Sequence, residues 1–341
     1  MNDELHIGIL LPTGKAQWGE GTDPRQLFEL AVRAEQLGFA SVWVNDTLLS
    51  PRIEGLSMLA ALAPLTNRIK LGTATLMPVL RRPIQAAQTI ASVDLLSGGR
   101  VIIGVGAGFP GRLGQPLYEL SEVPWARRFE RLDETVALWR HLWATPGPSS
   151  FRGQLLQFDG LPATTRPHQP NGPPIWSGGA TPSATARTGR GYDGWLPYPP
   201  AVSDYATGWG AVRRAAEEAG RATDAVTPAL YVTIFIADDA DVGRQALDTY
   251  TRATYGLPLD MLETIQLLLT GPRQLVQDRL QQYIDAGARH IVCRLGALSL
   301  AAQAEQLELI ARALLPGSPA RTNGTDPTGA DCAISREKVH Q

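Results

Sequence analysis

Short apolar runs rich in β-branched residues alternate with amphipathic helical stretches along almost the whole chain, and this alternation narrows the fold more than any single motif does. The runs fall at residues 6–11, 41–44, 69–76, 100–105, 174–177, 193–196, 229–236 and 291–295. Helical stretches follow at 24–38, 83–96, 182–190, 205–219 and 272–287. The first opens at Pro24 and closes at Gly38, with Leu27, Leu30, Ala31, Ala34 and Leu37 on one face. The second carries Ile84, Ala87, Ala91 and Leu95 on one side before Ser97-Gly98-Gly99 stops it, and the last carries Val276, Leu280, Tyr283 and Ile284. The runs are nearly continuous in apolar residues, as parallel strands covered on both faces should be. Eight such strands with intervening helices predict a (β/α)8 TIM barrel. A six-stranded doubly wound sheet with a small second domain is the other arrangement the pattern allows.

Two regions break the rhythm. A long insertion at about 107–173 follows the fourth strand, and holds a helix over 125–143 whose Trp139 and Trp143 share a packing face. Insertions on that side of a barrel commonly build a pocket or lid. The stretch 317–341 is rich in Pro, Gly, Thr and Asp and is expected to be a flexible tail, leaving the barrel in residues 1–316.

Charge and composition exclude several partners. Thirty-one basic against thirty-three acidic residues leave a net charge of −2, giving no electrostatic case for nucleic acid or an anionic membrane. No run reaches the roughly 18–20 apolar residues that span a bilayer. The acidic start lacks a cleavage pattern and does not read as a signal peptide, so a cytoplasmic protein is expected. Cys293 and Cys332 have no metal-ligand spacing and form no disulfide framework. No metal is expected.

A barrel gathers its active site at the C-terminal ends of its strands, here 45–47, 74–78, 106–112, 177–181, 197–200, 237–238 and 294–296. These segments hold no histidine, no paired carboxylates and no nucleophile elbow, which leaves hydrolysis without support and points to a cofactor with its own reactivity. The strongest local pattern is Trp176-Ser177-Gly178-Gly179-Ala180-Thr181-Pro182-Ser183. Its glycines let a ligand approach the backbone, and Thr181 and Pro182 open a helix whose free N–H groups suit an anion. An ordinary βα turn is the alternative. Gly106-x-Gly108-x-x-Gly111 fits a dinucleotide fingerprint formally, but Pro110 and Gly114 prevent a helix from opening there. It reads as a permissive loop against a flat ligand, with Arg112 beside it. Asp46 reads as a buried acceptor facing a ligand, or as a cap. Arg81-Arg82-Pro83 reads as the charged start of a helix, or as a grip on an anionic tail. Trp18, Trp195 and Tyr198 are expected to wall a pocket for a ring-like substrate. His168 and His290 read as structural or exposed.

Taken together, the chain resembles the bacterial luciferase-like flavin-dependent oxidoreductases over roughly residues 5–316. The resemblance rests on Leu37-Gly38-Phe39-Ala40-Ser41-Val42-Trp43-Val44-Asn45-Asp46, Asn67-Arg68-Ile69-Lys70-Leu71-Gly72-Thr73, Arg82-Pro83, Asp94-Leu95-Leu96-Ser97-Gly98-Gly99-Arg100 and Gly104-Val105-Gly106-Ala107-Gly108. It continues through residues 174–180, Asp193-Gly194-Trp195, Gly271-Pro272 and Ala286-Gly287. It implies a (β/α)8 barrel with an insertion, commonly a homodimer. It also implies either FMN, served by a separate flavin reductase, or the deazaflavin coenzyme F420.

Several positions match the deazaflavin branch. Asp46 matches the Asp at the deazaflavin head and, with Thr47 in place of the usual His, is expected to orient the cofactor or relay a proton. Ala74–Thr75 match a non-proline cis peptide behind the ring, and Met77 and Gly108 are expected beside it. Gly178, Gly179, Ala180 and Thr181 match the cofactor turn, with Ser177 ahead of them. The arginine that luciferases place on the FMN phosphate is Ala107 here. The glutamate that sugar-phosphate dehydrogenases use as proton donor is Phe109, which argues for a bulky apolar or natural-product-like substrate. The implied activity is hydride transfer between F420 and a small organic molecule at a C=C, C=N or C=O bond, in either direction. An FMN-dependent monooxygenase and a non-catalytic flavin-binding protein are the alternatives.

Overall fold

The computed structural model describes residues 4–47, 51–108 and 114–315. Phe109, Arg112, Cys332 and the expected tail at 317–341 lie outside them. Strands β1 (His6–Leu10), β2 (Ser41–Val44), β3 (Lys70–Leu76) and β4 (Val101–Val105) come first. A hairpin, β5 (Ser149–Arg152) and β6 (Gln157–Leu161), lies inside the insertion. Then follow β7 (Ile175–Gly178), β8 (Gly194–Leu196), β9 (Thr227–Ile236), β10 (Leu268–Gly271) and β11 (His290–Leu295). All pairings except the hairpin are parallel, in the order β1-β2-β3-β4-β7-β8-β9-β11 and back to β1. The chain is a closed eight-stranded (β/α)8 TIM barrel.

Besides the hairpin, the strand that sequence reading missed is β10. It pairs with the C-terminal part of β9, from Leu268 beside Thr233 to Gly271 beside Ile236. The short β8 reaches only Thr227 and Pro228, and β10 continues along β9 where β8 has ended. The Leu267 N–H donates to the Tyr198 carbonyl at 2.9 Å, splicing the two. A four-residue strand extending another is invisible to periodicity.

The helices are α1 (Gln26–Leu37), α2 (Gly55–Leu62), α3 (Pro83–Leu96), α4 (Gln115–Leu120), α5 (Arg128–Ala144), α6 (Pro182–Gly191), α7 (Val202–Glu218), α8 (Ala240–Tyr255), α9 (Leu259–Leu262), α10 (Arg273–Asp285) and α11 (Leu300–Leu314). In α1, Leu27, Leu30, Ala31 and Ala34 are buried as the spacing predicts, and Gly38 at φ 95° ends the helix. In α3 the face is rotated from the expected one. Ala86, Ala87, Ile90, Ala91 and Val93 are buried, while Leu95 is exposed. The cause is Asp94, fully buried because its carboxylate accepts from the backbone and side-chain N–H groups of Gln169. A satisfied buried acid on that turn swings Leu95 outward. Trp139 and Trp143 of α5 pack on α3, donating to the Pro83 and Ala87 carbonyls at 2.9 and 3.1 Å. Much of the insertion is therefore an ordinary barrel helix. Its hairpin is tied to α5 by Glu134, whose carboxylate accepts from the N–H groups of Gln154, Leu155 and Leu156.

Apolar side chains form two shells, one between strands and helices and one inside the barrel. The inner shell is Leu10, Trp43, Ala74, Ile102, Trp176, Leu196, Ala229, Tyr231 and Val292. At the N-terminal end of the strands the Trp43 and Trp176 rings lie 5.1 Å apart, and the His290 ring meets each edge-on. The indoles fit because their neighbours are glycines. A Cβ on Gly72 would lie 2.2 Å from the Trp43 ring, and one on Gly194 would lie 2.5 Å from the Trp176 ring. That end of the barrel is filled. No helix among the described residues is long and apolar enough to cross a membrane, and no group of three or more metal-ligand side chains occurs among them. Cys293 is buried and its thiol is pushed up by burial, the setting of an inert core cysteine.

Candidate active site

The open end begins with β3. The Ala74–Thr75 peptide is cis, and the Ala74 carbonyl accepts from Asn45 Nδ2 at 2.8 Å. Thr75 sits between two glycines on neighbouring strands. A Cβ on Gly106 would lie 2.8 Å from Thr75 Oγ1, and one on Gly178 would lie 3.4 Å from Thr75 Cγ2. Gly108, at φ 77°, passes Met77, whose sulfur would lie 3.1 Å from an added Cβ. The result is a floor of backbone and small side chains drawn from β3, β4 and β7. Beside it, Asn45 Oδ1 is buried and accepts no hydrogen bond.

Asp46 reaches this rim, but its carboxylate is already engaged. Arg81 donates to both oxygens at 2.7 and 2.8 Å, and the Met77 N–H donates to one of them at 3.1 Å. Arg81 also meets Glu54 at 2.7 Å. Burial pulls the Arg81 guanidinium's pKa down, but its hydrogen bonds and charge contacts with the two acids outweigh this and hold it above its ordinary value. Asp46 thus fixes the chain after β3 in place. A helix does open at Pro83, as the charged-start reading has it, but Arg81 itself is engaged in this grip, which joins residues 35 positions apart and leaves no local sequence pattern. Thr47 follows on the same loop, partly buried.

The turn after β7 has the geometry its sequence suggests. Thr181 caps α6, accepting from the Ala184 N–H at 3.3 Å, with Pro182 as first helical residue and Gly179 at φ 98°. Ser177 is buried at the strand end. A groove of about 560 Å³ runs from Gly179, Ala180 and Pro182 past Tyr198 to Arg214 on α7. A larger cleft lies on the outer face of α1, lined from Asp23 to Leu65 and away from every strand end.

Two expected pocket walls are corrected. Trp195 is fully buried and points outward, packing 5.1 Å from Tyr205 and stacking 6.4 Å from Trp209 of α7. Strand alternation decides this, since Leu196 is the β8 side chain that faces the barrel interior. Trp195 still bears on the site from behind, because its Nε1 donates to the Gly179 carbonyl at 2.9 Å. Trp18 packs against the shell between strands and helices, its Nε1 donating to the Pro12 carbonyl. Tyr198 stays at the rim, 36% exposed, its ring edge-on to Tyr231 at 6.3 Å. Sequence reading passed over Asn45 and Arg294 as individual residues, although both lie in strand-end segments it named.

Comparison with known proteins places this geometry. The sequence profile of the luciferase-like monooxygenase family matches residues 5–322. An F420-dependent glucose-6-phosphate dehydrogenase from Amycolatopsis mediterranei is 30% identical, over 83% of this chain and 92% of its own. Among solved structures, the coenzyme F420-dependent tetrahydromethanopterin reductase from Methanopyrus kandleri superposes with a TM-score of 0.74 at 20% identity, covering 92% of this chain and 99% of its own. A monooxygenase from Streptomyces bottropensis superposes at 0.76 with 22% identity, covering 92% and 99%. At those identities the two structures speak for the barrel alone. A profile match of that span, on a barrel closed in this order, makes the chain a member of the luciferase-like monooxygenase family.

Proposed function

We propose that this protein is an enzyme, an F420-dependent oxidoreductase that moves a hydride between the deazaflavin and a small organic substrate at a C=C, C=N or C=O bond, in either direction. The observation that carries the reading is the floor around Thr75, where Gly106 and Gly178 keep side chains off a flat surface and Asn45 Oδ1 waits as a buried acceptor. Such a surface suits a planar ring that brings its own chemistry. The similarity to F420-dependent dehydrogenases supports the same cofactor.

The residues present fit that cofactor. Ala74, Thr75, Met77 and Gly108 would line its ring, and Ser177, Gly178, Gly179, Ala180 and Thr181 would hold its phosphate at the start of α6. When bound, F420 supplies a two-electron hydride carrier at C5. Asp46 acts on it through structure, holding the Met77 N–H and Arg81 so that the segment after β3 keeps its shape. Thr47 has the hydroxyl nearest in sequence to that carboxylate, and we assign it the orienting or proton-relay role. Tyr198 and Tyr231 offer aromatic surface to an apolar substrate body, and a dry mouth strengthens every polar contact made within it. Ala107 is buried and offers no guanidinium to an FMN phosphate. The reading includes a homodimer, as the family resemblance implies.

Parallel fluorescence titration of the purified protein with F420 and FMN tests the proposal. Micromolar F420 binding with much weaker FMN binding is the expected result. A preference for FMN, with substrate oxygenated when a flavin reductase is supplied, overturns it in favour of a monooxygenase. Tight F420 binding that no reducible or oxidisable substrate turns over would leave a carrier protein instead.

A further inference from the structure

We propose that Arg294 anchors a carboxylate on the substrate, so that the molecule the enzyme acts on is an organic acid with an apolar body. The inference rests on the oxidoreductase reading above and deepens it.

Alternation along β11 sets the direction of the side chain. Ile291, Cys293 and Leu295 belong to the outer shell and Val292 to the inner one, so Arg294 is the last inward residue of its strand. It is 6% exposed. Its Nη1 donates to the hydroxyls of Tyr231, at 3.3 Å, and Tyr255. The rings of Tyr250 and Tyr255 lie 5.4 and 5.0 Å from its Cζ. Burial raises the Tyr231 and Tyr250 hydroxyls well above the ordinary phenol range, so these partners are neutral. Among the described residues Arg294 makes no ion pair.

A buried guanidinium without a counter-charge is costly, and phenol hydroxyls and ring faces offset only part of the loss. Its own Nε and the hydroxyls of two buried threonines are also without partners. Arg294 Nε is buried without an acceptor. Thr233 Oγ1, on the residue that register places beside Arg294, and Thr13 Oγ1, just beyond β1, are fully buried without a partner. A second cation adds to the local field. Burial first, and then the charge of Arg294, depress the pKa of Arg52. Converging donors, a buried guanidinium and hydroxyls are the chemistry of an oxyanion site, and the planar fork of arginine matches a carboxylate.

Placement separates this site from the cofactor floor. In the ring of strands β11 stands opposite β4, whereas the floor belongs to β3, β4 and β7. A substrate held at Arg294 therefore faces the floor across the barrel mouth.

The test is calorimetric titration of the full-length protein with benzoate, its neutral analogue benzamide, and inorganic phosphate, each with and without saturating F420. Benzoate is expected to bind and benzamide not. Arg294→Met should weaken benzoate by about tenfold or more, the scale of a lost charge-assisted hydrogen bond. Arg294→Lys keeps the charge without the fork and should fall between, which keeps the test meaningful if the methionine variant fails to fold. Equal benzoate binding in wild type and variants overturns the proposal, as does no binding, or binding of phosphate alone. Displacement of benzoate by F420 also overturns it, by giving the site to the cofactor. If benzoate behaves as expected but F420 does not bind, the anion site stands and the cofactor reading falls.

Discussion

Arg81 holds both carboxylate oxygens of Asp46 in a forked grip, and the same carboxylate takes the Met77 N–H. The acid that family resemblance puts at the cofactor head is therefore a structural clamp as well. Asp46→Asn should cost about 2 kcal/mol of stability, because it leaves a largely buried guanidinium half paired. Urea unfolding measures the loss, and F420 titration of the same variant should show weaker binding. A variant of unchanged stability and affinity would refute the clamp.

Trp195 should matter to the cofactor without touching it. Trp195→Phe keeps most of the packing on Tyr205 and Trp209 but removes the donor to the Gly179 carbonyl. We expect a stability loss of about 1 kcal/mol and a several-fold rise in the F420 dissociation constant. Unaltered affinity would show that the turn after β7 holds its shape without the indole.

His290 gives the fold an acid-sensitive base. Burial, and then the neighbouring His6, lower its pKa from 6.5 to about 3, and its Nε2 lies 2.7 Å from Ser41 Oγ. Between those two values the unfolded chain binds a proton that the folded chain refuses, so folding stability falls as pH drops below 6.5. The slope is roughly 1.4 kcal/mol per pH unit within that window. Comparing urea midpoints of wild type and His290→Gln from pH 7 to pH 5 isolates the effect. Parallel curves would contradict it.

Glu35 works in the opposite charge state. Burial raises its pKa, but backbone N–H groups of Ile69, Arg68 and Asn67 outweigh this and leave it below the ordinary value. Its stabilisation is present above the unfolded-state pKa and disappears as pH falls through the lowered one. Glu35→Gln should cost on the order of 1 kcal/mol at neutral pH, a figure kept small by solvent screening. The difference from wild type should vanish in acid, and a constant difference would be the contrary result.

The barrel was legible because its strands announce themselves. Runs such as Val101–Val105 are apolar on both faces, and capping signals such as Gly38 and Thr181 mark where helices stop and start. The glycine turn after β7 was legible for the same reason, being a local pattern with a local cause. What escaped depends on contacts between distant residues. Arg81 meets Asp46 across 35 positions, and Arg294 meets Tyr255 across 39. Trp195 was misplaced by one step of alternation in a three-residue strand too short to show its phase. Leu95 was misplaced because one buried acid, Asp94, outvoted a helical pattern.

The packed Trp43, Trp176 and His290 rings give this barrel a single doorway. Whatever reaches the Thr75 floor and whatever reaches Arg294 must cross the same rim, and neither can leave through the base. Arrival and departure at the two places become a matter of sequence as well as affinity, since the first molecule seated narrows the passage left for the second. Two tilted indoles beneath the floor would thus set the order in which the reaction's participants come and go.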